Sequence, residues 1–203
     1  DLSNSNSVFS NTNHIYDSRG NTTTTDTRAT YTVTGTSGTH TETNPTFRSF
    51  ASITLNSASE FVGGSITDSG VLTVGGADVN GVSVLTSTVA ANASAAIWNE
   101  NSDPDGNMDN MVFSMGSNNH HAIEFGTSVP ATMTLRGCDF SGFSASQNND
   151  ASIFHFRDTS GTITLNLIDC TSDVAFATSY RTDGATINIV EDPVTTQFTV
   201  EDP

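Results

Sequence analysis

The chain has no lysine, and its six basic residues, Arg19, Arg28, Arg48, Arg136, Arg157 and Arg181, face 22 acidic ones for a net charge of −16. A basic stripe able to neutralise phosphates is therefore missing, which argues against a nucleic-acid partner. An anionic membrane surface is disfavoured for the same reason. Only two cysteines occur, Cys138 and Cys170, too few for a disulfide framework. No run approaches the roughly 18 apolar residues of a membrane-spanning helix. Long helix-forming side chains are scarce, whereas Ser, Thr, Asn and Gly abound, a balance that favours an all-β, turn-rich chain over a helical one. The chain begins at Asp1 with no leader pattern, as expected of a processed chain or a piece of a longer one.

What is present is a recurrence. Six triplets alternate apolar, middle and apolar residues: Ile53-Thr54-Leu55, Val82-Ser83-Val84, Met111-Val112-Phe113, Met133-Thr134-Leu135, Ile163-Thr164-Leu165 and Ile187-Asn188-Ile189, at intervals of 22 to 30 residues. Strand periodicity puts the flanking apolar side chains on one face and the middle one on the other. The middle position is polar except at Val112, so Val112, Thr134, Thr164 and Asn188 are expected as an outer ladder. Ile53, Val84, Phe113, Leu135, Leu165 and Ile189 are expected to stack inside. A second apolar segment falls between triplets, as HAIEF at 121–125, SIFHF at 152–156, VAFAT at 174–178 and, more loosely, AAIWN at 95–99. GTSVPA, RDTSG and SYRTDG supply the bends between them.

Repeats of about 25 residues, each with several short strands and tight turns, are the pattern of a parallel β-helix. With strands about 4.8 Å apart, six coils would make a rod about 29 Å long. An antiparallel sandwich also gives short, regularly spaced strands, but not similarity that recurs at the length of a whole coil. The expected fold is thus all-β, a right-handed parallel β-helix over 47–190, with 191–203 a linker or the first strand of a following domain. Residues 1–46 are Thr-rich and poor in large apolar side chains, and are expected to pair as edge strands, cap the solenoid or extend to a partner.

The 47–190 stretch resembles right-handed β-helix proteins of the pectate-lyase-like superfamily. More narrowly, NMDNMVFSMGSNNHHAIEFGTSVPATMTLRGCDFSGF, TITLNLIDC and RTDGATINIVEDPV resemble structural proteins of tailed phages from aquatic bacteria. VTTQFTVEDP at 194–203 looks like the first strand of an immunoglobulin-like module. The resemblance implies a non-enzymatic virion component, a capsid decoration or tail appendage. It also implies other virion proteins as partners, a homotrimer or lattice, and contact with a host-surface glycan. An extracellular carbohydrate-binding or carbohydrate-active protein and a bacterial surface adhesin or filament subunit are the rival readings.

The repeat frame places the chemically active side chains. Glu124 and His155 are expected at equivalent outward positions of neighbouring coils, where they form an acid-base pair or a plain ladder contact. No catalytic residue is assigned. His120 and His121 are adjacent, would point to opposite faces of a strand, and are expected in a turn. Cys138 and Cys170, 32 residues apart, are expected as small buried thiols, because a bond between them would require the strands to drift in register. In NSDPDGNMDN at 101–110, Asn101, Asp103, Asp105, Asn107 and Asp109 alternate around Gly106, matching positions 1, 3, 5, 7 and 9 of a calcium loop. Val112 stands where the bidentate glutamate belongs, so a weak Ca²⁺ site and a metal-free acidic turn are both open.

Overall fold

The computed structural model describes residues 9–18, 28–34 and 39–192. The chain makes successive three-sided circuits. The first holds β1 (Phe9–Thr12), β2 (Ile15–Asp17) and β3 (Thr30–Thr32), and the second β4 (His40–Thr43), β5 (Thr46–Arg48) and β6 (Ser52–Thr54). The third holds β7 (Ser59–Val62), β8 (Ser65–Thr67) and β9 (Val71–Thr73). In the fourth, β10 (Ser83–Leu85) and β11 (Ser94–Trp98), and in the fifth, β12 (Val112–Ser114) and β13 (His121–Phe125), only two sides are regular strand. β14 (Thr132–Arg136), β15 (Asp139–Ser141) and β16 (Phe154–Phe156) form the sixth, and β17 (Thr162–Ile168), β18 (Thr171–Ser172) and β19 (Tyr180–Thr182) the seventh, before β20 (Thr186–Glu191).

Every strand pairing is parallel, and the circuits stack in order. The second face is one seven-stranded sheet from β2 to β18 and the third another from β3 to β19. The first face carries β1-β4-β7 at one end and β14-β17-β20 at the other. The arrangement is all-β and β-helix-like, as the repeat led one to expect, but the rows differ from those expected.

The six triplets lie on three faces rather than one. Ile53 is on the third, Val84 and Phe113 on the second, and Leu135, Leu165 and Ile189 on the first. Val84 does meet Phe113 and Leu165 meets Ile189, but Leu135 pairs with Leu167, not Leu165. Thr164 meets Asn188, while Thr134 meets Asn166 and Val112 belongs to another face. The physical reason is that alternation has the same period on any face, so it fixes which side chains point inward without saying which sheet they join.

What identifies a face is the corner. After each first-face segment comes a residue at positive φ: Asn13, Asn44, Gly63, Gly81, Asn110, Gly137, Asp169 and Asp192. Asn, Asp and Gly tolerate this left-handed conformation best. Three residues beyond each corner, down to Asp169, the inward row of the second face follows: Tyr16, Phe47, Ile66, Val84, Phe113, Phe140 and Ser172, in unbroken register.

The boundary expected at 46 has no counterpart in the pairing, since β1, β2 and β3 join the same ladders as β4, β5 and β6. The described residues of that segment pair in these ladders, with β1, β2 and β3 as their terminal strands. The segment VAFAT is not a strand but includes a 3₁₀ turn, Phe176–Thr178, with Phe176 buried. The third-face strand is Tyr180–Thr182 instead. The expected immunoglobulin-like strand at 194–203 lies outside the described residues.

Candidate functional site

The loop at 101–110 occupies the gap in the first face. Val79 N–H donates to the Asn107 carbonyl and Gly81 N–H to that of Asp109, while Asn110 N–H donates to the Arg136 carbonyl. The loop is therefore the fifth rung of that face, joining β7 to β14 through residues 78–80 and 107–110. Its polar side chains extend this splice. Asp103 Oδ1 accepts from the backbone of Thr134 at 2.7 Å and of Asp105 at 3.1 Å. Asp105 accepts from Arg136 Nε at 2.6 Å and Nη2 at 3.2 Å. Asn107 Nδ2 donates to the carbonyls of Gly76 and Ala77. Asp109 accepts from Gly106 N–H, and its own N–H donates to Asn80. Asn101 is exposed. Burial raises the Asp109 carboxyl above the usual range, with the neighbouring Asp105 charge adding to it. Among the described residues, no three metal-ligating His, Cys, Asp or Glu side chains cluster. Asp103 Oδ1, both Asp105 oxygens and Asp109 Oδ2 accept from protein donors, whereas Asp109 Oδ1 is buried without a hydrogen-bond partner.

The second candidate is a depression of about 440 Å³ at the ends of the third-face strands, lined by Ile97, Asn99, Glu124, Thr127, Arg157 and Asp183 among others. Glu124 and His155 are register partners, as expected, and Ile97 and Arg181 continue their outward row. His155 is nevertheless only 1% exposed, because neighbours cover it. Its Nε2 donates to Asp183 Oδ1 at 3.0 Å, and its ring lies 4.7 Å from that of His121. Arg157 bridges two carboxylates, Glu124 Oε2 at 3.0 Å and Asp183 Oδ2 at 3.5 Å. Ser94 Oγ also donates to Glu124. Burial pushes the Asp183 carboxyl up, but the bond from His155 and the Arg157 charge outweigh it and hold the group below its ordinary value. Burial lowers His155 despite Asp183. Sequence reasoning missed Arg157 and Asp183. Each lies two residues beyond a row position, His155 and Arg181, so strand alternation would have placed them once the third face was aligned.

His120 and His121 are both fully buried, and His121 opens β13 rather than lying in a turn. His120 Nε2 accepts from Gly116 N–H while Nδ1 donates to the His121 carbonyl; His121 Nδ1 donates to the Ser152 carbonyl. Burial lowers both, His121 to about 4.

A third cluster had no forewarning. In β4, His40 and Glu42 point into the interior, and Glu42 is 0% exposed. Tyr16 donates to Glu42 Oε1 at 2.6 Å and Asn11 Nδ2 at 3.4 Å, while Tyr31 Oη meets His40 Nε2 at 2.8 Å. Burial and the carboxylate raise Tyr16 to about 12. Alternation alone marks 40 and 42 as inward, but nothing in HTET separates a buried from a solvated face.

No known family, curated protein or solved structure matches the chain.

Proposed function

We propose that the chain is a non-enzymatic structural protein, a right-handed solenoid serving as a rigid rod or platform in a virion, as capsid decoration or tail-associated appendage. The observation that carries the non-catalytic part is the state of the third-face depression. Its two carboxylates share one guanidinium, Arg157, which sits between them. A glycosidase needs one carboxyl held protonated and a partner across an open gap, and a lyase needs a base free to take a proton. Here Asp183 is held ionised, and His155 is buried and bonded to it. Parallel ladders in which interior strands bond on both sides suit a rod that resists local opening. The virion assignment rests on the phage-protein resemblance.

Among the described residues the stack runs from β1–β3 to β18–β20, and a terminal strand edge invites pairing. Copies accordingly associate, as a trimer or on a lattice. Sedimentation at micromolar concentration is expected to show the multimer, and a monomer counts against it.

The rival carbohydrate-active reading is addressed by incubating the chain with neutral and uronate-containing polysaccharides and measuring new reducing ends and unsaturated sugars. None are expected; turnover abolished by Glu124→Gln would replace this reading. Antibodies to the chain are expected to label tailed particles pelleted from the source culture. Labelling confined to cell envelopes would favour the adhesin.

A further inference from the structure

The cysteines occupy one row. Each follows a corner residue, Gly137 or Asp169, and precedes a registered pair, Asp139 with Thr171. Thr171 N–H donates to the Cys138 carbonyl at 2.8 Å, and Gly137 N–H to that of Ile168. Cys138 and Cys170 are therefore direct neighbours on successive rungs. Their separation of 32 residues is the length of that circuit, the same as between Asp139 and Thr171, so no drift in register is needed. Adjacent parallel strands lie about 4.8 Å apart, inside the Cα separation that a disulfide spans. Both thiols are free and lie on adjacent rungs of the same row. They also make equivalent bonds to the circuit before, Cys138 Sγ to the Met108 carbonyl at 3.2 Å and Cys170 Sγ to that of Leu135 at 3.5 Å.

Their exposures differ. Cys138 is 1% exposed, whereas Cys170 is half-buried at the rim. Cys170 is thus the sulfur a reagent reaches first, and Cys138 is the one waiting behind it. The position matters too, because β15 and β18 share only two registered pairs and Ser172 replaces the large inward side chains of earlier rungs. The rung that carries Cys170 thus has the least apolar filling on the second face.

We infer that Cys138 and Cys170 are an oxidisable pair that closes to a disulfide between the sixth and seventh circuits, with a low-molecular-weight disulfide such as oxidised glutathione as the oxidant. The Cys170 thiolate attacks one sulfur of the reagent, forming a mixed disulfide and releasing one thiolate. Cys138 then loses its proton and attacks the Cys170 sulfur, forming the protein disulfide and releasing the second thiolate. Two S–H bonds are lost, one S–S bond forms, and the reagent is reduced to two thiols. The neighbouring Cys138 thiol lowers Cys170, consistent with its leading, while the Cys170 thiol and burial raise Cys138. The product clips the last circuit to the stack whatever the larger assembly is.

The test treats the folded full chain with oxidised glutathione, blocks remaining thiols and measures intact mass. Cleavage at arginine puts Cys138 and Cys170 on different peptides, because Arg157 lies between them. Expected are a loss of two hydrogens, a single cross-linked peptide pair and a higher melting temperature than the reduced chain. Cys138→Ser is expected to retain one glutathionyl group, on Cys170, and Cys170→Ser none. A wild-type adduct that persists on Cys170 beside a free Cys138 overturns the inference. So does a folded chain that stays unmodified while its urea-unfolded form reacts. Should a serine variant fail to fold, the wild-type peptide map decides alone.

Discussion

In the second and third circuits the interior sets His40 and Glu42 beside Phe47 and Phe61, whereas from the fifth circuit onward it is filled by Phe113, Phe125, Phe140, Phe154, Phe156 and Phe176. Both ends stack rings: Phe47 lies 5.5 Å from Phe61 at 4°, across two faces, and Phe113 5.4 Å from its register partner Phe140 at 3°. The difference is that one end encloses a carboxylate and supplies it with Tyr16 and Asn11 as donors. A backbone held by ladders accepts either filling, and each leaves buried atoms without a hydrogen-bond partner, Glu42 Oε2 at one end and His121 Nε2 at the other. Cohesion should therefore be greatest in the phenylalanine end and uniqueness of register in the polar one.

The largest test of that contrast is Phe140→Ala. Phe140 touches Phe113, Phe154 and Phe176, and truncating a buried phenylalanine costs about 3–5 kcal/mol. Urea midpoints are expected to fall more for this variant than for Glu42→Gln. The reverse order would place the cohesive core at the polar end.

Acid should strike the phenylalanine end harder. Burial lowers His120, His121 and His155 there, against His40 alone at the other end. A histidine with a depressed folded value leaves the unfolded chain to take the proton first, so stability is full above about pH 6.5 and declines as pH falls toward 4. For His121, held at about 4, the loss reaches up to about 3 kcal/mol. Unfolding followed from pH 7.5 to 4.5 should show the decline, and His121→Phe should flatten it.

Gly137→Ala probes the corner that both ends share. Gly137 has φ +62°, and an added Cβ would lie 2.3 Å from Asn110 Oδ1. A cost of about 1–3 kcal/mol is expected, read as a lower melting temperature. Glu42→Gln keeps an acceptor for Tyr16 and should cost about 1 kcal/mol. Calcium gives the smallest effect: with Asp103, Asp105 and one oxygen of Asp109 accepting protein hydrogen bonds, millimolar calcium is expected to leave the melting curve of a chelator-treated sample in place. A rise of several degrees that Asp109→Asn abolishes would restore the cation site.

The contrast also explains what the sequence allowed. At the phenylalanine end, HAIEF and SIFHF carry their rows openly, and Glu124 opposite His155 could be read from them. At the polar end, HTET hides an inward row behind Thr, His and Glu. The triplets misled because Leu55, Leu135 and Phe113 alternate alike on three faces. The sharper signal was local: Asn44-Pro45-Thr46-Phe47, Gly63-Gly64-Ser65-Ile66, Gly81-Val82-Ser83-Val84 and Gly137-Cys138-Asp139-Phe140 each set a left-handed residue three places before an inward one. In the loop at 101–110 the alternate polar residues spaced as calcium ligands are also the ones that bond to neighbouring rungs, so spacing alone does not separate the two roles. Arg157 between Glu124 and Asp183 needed the third face aligned across three circuits, through Arg181 as well as His155, before alternation could place it.

The parallel ladders fix how the molecule carries load. Backbone hydrogen bonds between rungs run along the stacking direction, so tension on that axis pulls on few bonds at a time and peels circuits from an end. Compression instead presses side-chain columns such as Phe113 on Phe140 against one another, and every column shares the thrust. The same architecture is thus a stiff strut when pushed and a zipper when pulled.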